Sequence, residues 1–195
     1  SPHLTHLNLT ACGLGPKHAA DLADVFSSSG CNITTLCLAK NGLTGATFYS
    51  SGNIRAGVDS NLDGIITLLT ALKKSQVICI DFSGCGLGPL GASSVADYIR
   101  DATASIASLK LDSNGIFGEL YSDGAVKEAD KFVAEVQPFL DALKTSSLTS
   151  LSLRSTGMGV KGIIAATDAI RAMPSIAHIS LSGNRITGTK YDKGM

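Results

Sequence analysis

The sequence has no tryptophan, and Phe, Trp and Tyr together supply 5% of its 195 residues. It is therefore short of the large planar side chains that dominate tight protein interfaces. An excess of one charge is also missing, because 16 basic residues balance 16 acidic ones. That balance argues against the broad basic footprint of a nucleic-acid-binding domain. No apolar run approaches the roughly 20 residues of a membrane-spanning helix. No Walker-type phosphate loop occurs, and no Ser, His and acid fall together in a catalytic arrangement. Neither a cofactor nor a metal is expected, and the chain is read as non-enzymatic.

What is present is a pattern written six times. Its copies begin at Leu4, Ile33, Val77, Ile106, Leu148 and Ile176. Each is apolar at its first, fourth, sixth and eleventh places, as in Ile106-Ala-Ser-Leu-Lys-Leu-Asp-Ser-Asn-Gly-Ile116. The fourth and sixth places alternate with polar or small residues, so they point to one side of a short strand. The ninth places are Cys12, Asn41, Cys85, Asn114, Thr156 and Asn184. A buried Asn at that place can bond the adjacent turn, and Cys can fill the slot as a small buried residue. Repetition on a fixed template signals stacked units that share one core.

The spacings between copies are 29, 44, 29, 42 and 28 residues. Short and long alternate, so the larger unit is a pair. Odd copies share Cys12-Gly-Leu-Gly-Pro16 and Cys85-Gly-Leu-Gly-Pro89, with Thr156-Gly-Met-Gly-Val160 as a looser version. Even copies carry insertions with Tyr49-Ser-Ser-Gly52, Tyr121-Ser-Asp-Gly124 and Tyr191-Asp-Lys-Gly194.

The template resembles the leucine-rich repeat family. Asn or Cys at the ninth place and a helix in each long repeat resemble its ribonuclease-inhibitor-like class. The resemblance implies an α/β solenoid, residues 1–195, with parallel strands on the concave side and helices on the convex side. It also implies a protein–protein interaction module, a scaffold, sensor or regulator that binds a protein partner as a monomer. A GTPase-activating or other regulatory domain is the alternative that the family admits. Such a role would need a helper residue on the loop edge, where Arg55 and Lys127 are the basic candidates. The first and last repeats carry no polar caps, so the array is expected to extend past at least one end.

Helices are expected over about 17–26 and 62–74, the second capped by Ser60 or Asn61. In the second insertion, residues 125–136 read as helical, and Pro138 reads as the first residue of the repeat's own helix. The apolar helical faces should bury Ala19, Leu22, Ala23 and Phe26, then Ala92, Val95, Ala96 and Ile99, then Ile163, Ala166, Thr167 and Ile170. Asp24, Asp97 and Asp168 share an outward column, which reads as a solvated face and not as a metal site.

The cysteines are five, an odd number. Cys37 and Cys79 fall on neighbouring strands two places out of register, a diagonal of roughly 7–8 Å. That is too far for an easy disulfide. Together with the lack of cysteine-dense capping modules, this points to a reducing, cytoplasmic setting. Asn8-Leu-Thr10 and Asn32-Ile-Thr34 match the glycosylation acceptor pattern, but both lie on or beside a strand. His6 and His178 fall on the first and last strands, about 24 Å apart, so they cannot share a metal.

Gly86-Leu-Gly88-Pro-Leu-Gly91 matches the dinucleotide-binding fingerprint, with Asp112 at the next strand's end. The alternating strands and His18 at the third glycine's place in the first copy disfavour a nucleotide.

Two surfaces can receive a partner. The concave face brings Asp81 beside Lys110 and Asp112 beside Arg154, which either read a ligand or pair with each other. The insertions leave one edge of the sheet every second repeat and carry Tyr49, Tyr121 and Tyr191. Insertions on one face of a solenoid often form its binding face, and this edge with the adjoining strand ends is the favoured site.

Overall fold

The structure is a computed structural model that describes residues 3–28, 30–103 and 106–188. Six template copies give six strands of one parallel sheet: β1 (His6–Asn8), β2 (Thr35–Cys37), β5 (Cys79–Asp81), β6 (Ser108–Lys110), β9 (Ser150–Ser152) and β10 (His178–Ser180). They lie side by side in chain order. The fourth template places form one ladder, Leu7↔Leu36↔Ile80↔Leu109↔Leu151↔Ile179. Pairing continues past each strand, since the sixth-place N–H of Leu38, Phe82, Leu111 and Leu153 each donates to the next copy's carbonyl.

Leu36, Leu38, Ile80, Phe82, Leu109, Leu111, Leu151 and Leu153 are buried, in one core with the eleventh-place Leu43, Leu87, Ile116 and Met158. Burying each such side chain contributes about 1.5–3 kcal/mol. The end copies contribute Leu7, Leu9 and Leu181 only partly buried.

The chain bends sharply after every strand. The eighth place has positive φ in all six copies: Ala11 (56°), Lys40 (56°), Gly84 (62°), Ser113 (54°), Ser155 (51°) and Gly183 (75°). Four of the six are not glycine, so the repeat holds this conformation against its local cost. The ninth-place Asn supplies part of what holds it. Asn114 Oδ1 accepts the N–H groups of Cys85 and Leu87, both at 3.0 Å. Its Nδ2 donates to the carbonyls of Phe82, Leu111 and Asp112. Asn41 does the same for Cys12 and Leu14, and Asn184 for Thr156 and Met158. Each even copy thereby clamps the odd copy before it.

The helices are α1 (Pro16–Ser27), α2 (Asp63–Leu72), α3 (Pro89–Asp101), α4 (Gln137–Lys144) and α5 (Val160–Ala172). Their buried faces fit the expected ones with small rotations. Tyr98 is fully buried and Ile99 partly, and Ala169 is buried where Ile170 is partly so. Helix α2 starts at Asp63 with Leu62 at its cap position. Neither expected residue stands at that position, but Asn61 Oδ1 accepts the Asp63 N–H from just outside it. Pro138 is the second residue of α4, one place later than expected.

The insertions form two antiparallel hairpins, β3 (Thr47–Phe48) with β4 (Ile54–Ala56), and β7 (Glu119–Leu120) with β8 (Val126–Glu128). The second corrects the helix expected over residues 125–136. Residues 126–128 are strand and 129–136 are turns. Asp130 breaks the helical run, because its φ is +62° and its N–H donates to the Gly157 carbonyl. The third insertion, with Tyr191, lies outside the described residues.

Candidate functional site

The sheet's open face keeps its acids busy. Asp81 Oδ1 accepts the Ser83 N–H at 2.9 Å. Asp112 Oδ1 accepts the Ser152 hydroxyl at 2.6 Å and the Arg154 backbone N–H at 2.9 Å. Asp81 lies directly across from Lys110 in the ladder, yet neither the Asp81–Lys110 nor the Asp112–Arg154 pair forms an ion pair among the described residues. The acids satisfy turns and hydroxyls, and the exposed Lys110 and Arg154 heads point to solvent. On the same face burial pushes the Cys37 thiol up, and Asp81 adds to the shift. All five cysteines are free thiols. Cys37 faces Asp81, and Cys79 faces Thr35.

The glycine fingerprint has a tenant from the chain itself. Asp59, in the first insertion, accepts N–H groups at the start of α3 from Gly88 (2.9 Å), Leu90 (2.9 Å) and Gly91 (3.1 Å). A carboxylate there satisfies unpaired helix donors and the positive end of the helix dipole. The glycines make room for it. A Cβ on Gly88 would come within 2.5 Å of Asp59 Oδ2, and one on Gly91 within 2.7 Å of Oδ1. Asp130 repeats the arrangement on Gly159, Lys161 and Gly162. In the first copy His18 Nδ1 accepts the Gly15 N–H instead. The donors that a nucleotide phosphate would use are therefore occupied by side chains.

The hairpins shape a cavity of about 600 Å³. Strand β4 forms one wall over its whole length, and β7 forms the other. The two belong to separate two-stranded sheets, so among the described residues each strand has one edge without a partner strand. Pro89 and Leu90 of α3 and the strand-end turns at Ser83 and Ser113 also line it. A Cβ on Gly124, in the second hairpin's turn, would lie 3.7 Å from Asn53 Oδ1 in the first, so the turns nearly meet across the slot. Leu90 is 60% exposed, an unusual position for a leucine.

Both hairpins have the same build. Tyr49 N–H donates to Asn53 O and Gly52 N–H to Tyr49 O; Tyr121 and Gly124 bond likewise with Ala125 and Tyr121. Each register shifts by one residue, leaving Arg55 and Lys127 unpaired in their ladders. Such a bulge re-aims the extra side chain. Arg55 lies 6.0 Å from the Tyr49 ring centre. Lys127 pairs with Glu119 at 2.9 Å, and Lys131 bonds the same carboxylate. These two lysines hold the Glu119 carboxyl down at about 2.

Of the sequence candidates, Tyr121 lines the slot. Tyr49 is exposed on the first hairpin, outside that lining. Asp81, Lys110, Asp112 and Arg154 lie on or just past the sheet strands and are not part of that lining. Sequence reasoning missed Leu90, Val58 and Lys40, and left Arg55 unmarked. Asp59 and Asp130 were also missed, although their 71-residue separation repeats the pair period.

Among the described residues no helix is long and apolar enough to cross a membrane, and no cluster of His, Cys, Asp or Glu could hold a metal. A family profile described as Leucine Rich repeat matches residues 1–22. Among curated proteins, none matches the sequence.

Proposed function

We propose that this chain, whose first 22 residues match a Leucine Rich repeat profile and whose six strands form one parallel sheet, is a leucine-rich repeat protein that binds a protein partner through the slot between its two hairpins. Repeats of this family serve as protein-interaction modules, and the long repeats with a ninth-place Asn support our reading of the ribonuclease-inhibitor-like class. We read it as a non-catalytic, cytoplasmic scaffold, sensor or regulator.

One observation carries the reading: two strands, each with an edge unpaired among the described residues, line one cavity of about 600 Å³. Open edges pair readily with a further extended chain. Exposed Leu90 and Val58 and the Tyr121 ring give apolar area beside those edges. The sheet's open face offers mainly small residues around Lys110 and Arg154, and so little anchoring area.

Selection of peptides from a displayed random library on the immobilised chain tests the assignment. Binding of selected peptides is expected to fall roughly tenfold or more when Leu90→Ser is combined with Tyr121→Ala. Lys110→Ala with Arg154→Ala should leave it within about twofold. The opposite result puts the site on the sheet face.

A further inference from the structure

The slot has an uneven supply of charge. Four charged residues line it: Lys40, Arg55, Asp59 and Glu119. Both acids are already engaged. Asp59 takes three backbone N–H groups of α3. Glu119 takes Lys127 and Lys131. The cations are not engaged in the same way. Arg55 has the Tyr49 ring beside it and no carboxylate among the described residues. The Lys40 ammonium likewise forms no ion pair among them.

The hairpins explain the imbalance. Their registers correspond at an offset of 72 residues, which puts Thr47 where the second hairpin has Glu119. The bulged Lys127 therefore has an acid opposite, and the bulged Arg55 does not. Of these two bulged cations, Arg55 lines the slot.

We propose that the slot's occupant is an extended segment of a protein partner carrying acidic side chains interleaved with apolar ones. This rests on the slot being the binding site. The strand edges take the backbone, Leu90 and Tyr121 take apolar side chains, and Arg55 and Lys40 receive carboxylates. Arg55 suits that role because a guanidinium can hold a carboxylate through two parallel hydrogen bonds. In a chain with no net charge, this local excess selects the partner more than it adds raw affinity.

The test uses three short fluorescein-labelled peptides of matched length. Each carries Leu among Ser and Thr, with added Glu, Gln or Lys. Fluorescence anisotropy on the whole chain should show the Glu peptide binding roughly tenfold tighter than the Gln peptide and tighter again than the Lys peptide. Arg55→Glu with Lys40→Asp should reverse the order; Asp is chosen because it tolerates the left-handed backbone at position 40. Circular dichroism confirms that this variant folds, and Arg55→Gln with Lys40→Gln, which should erase the order, replaces it if it does not. Equal binding of the Glu and Lys peptides, an unchanged order in the charge variants, or no binding near millimolar peptide overturns the inference. Leu90→Ser with Tyr121→Ala separates the two levels. If it abolishes binding that is indifferent to charge, only the acidic preference falls. If binding survives it, the slot itself is not the site.

Discussion

Asp130 holds the start of α5 as Asp59 holds the start of α3. Its carboxylate accepts N–H groups from Gly159 at 2.7 Å, Lys161 at 2.8 Å and Gly162 at 2.8 Å. Each Asp sits in the turn after a hairpin and reaches into the next copy. Asp130→Ala leaves those donors to water and should cost about 2 kcal/mol, the upper range for a helix cap. Urea denaturation checks it, and a loss below about 0.5 kcal/mol would show that the cap is dispensable.

Asn114 is fully buried and its amide bonds five backbone groups. Asn114→Ala strands several of them and should destabilise by about 3 kcal/mol or more. Asn184, which is only half-buried, should cost less on the same change, because water can replace part of what is lost. Equal losses at the two sites would contradict this account.

Tyr98 is fully buried, and its hydroxyl finds no hydrogen-bond partner among the described residues. Burial also pushes its ionisation up. A buried unsatisfied hydroxyl costs about 1–3 kcal/mol. Tyr98→Phe removes the hydroxyl and keeps the ring, so the variant should be at least as stable as the parent, with a gain near 1 kcal/mol. A lower melting temperature for Tyr98→Phe would reveal a partner for the hydroxyl in solution.

Glu119 titrates at about 2 in the folded chain, against an ordinary value of 4.5. A depressed carboxyl contributes stability above its unfolded value, and that contribution disappears as pH falls through the folded one. The melting-temperature gap between the parent and Glu119→Gln should therefore be open at pH 6 and shrink steadily as pH falls from about 4.5 to about 2. The group is exposed, so the gap is small and should narrow further in high salt. A gap that widened on acidification would mean that the lysines act elsewhere.

Most of the solenoid was legible because its signal is repeated. Six copies place Leu-x-Leu on the strands, and the ladder from Leu7 to Ile179 follows without adjustment. The left-handed eighth place was not legible, since Ala11, Lys40, Ser113 and Ser155 are not residues that favour positive φ. Their conformation is set by bonds from the neighbouring copy. The second insertion misled for a related reason. Residues 125–136 favour a helix by composition, but the Asp130 contact across to Gly157 and Gly159 overrides that local preference. The slot was half visible: Tyr121 belongs to it, while Leu90 and Lys40 reach it only through the packing of three separate repeats.

The junctions between copies alternate in kind, an Asn clamp within each pair and an Asp cap between pairs. The array consequently has parity. A single repeat cut from the middle leaves a neutral amide facing a helix start shaped for a carboxylate, or the reverse, and every glycine that makes room for the acid becomes a void. Excising residues 77–147 as a block joins like to like. Excising that pair should therefore lower the urea midpoint less than deleting a single internal repeat, 77–105 or 106–147.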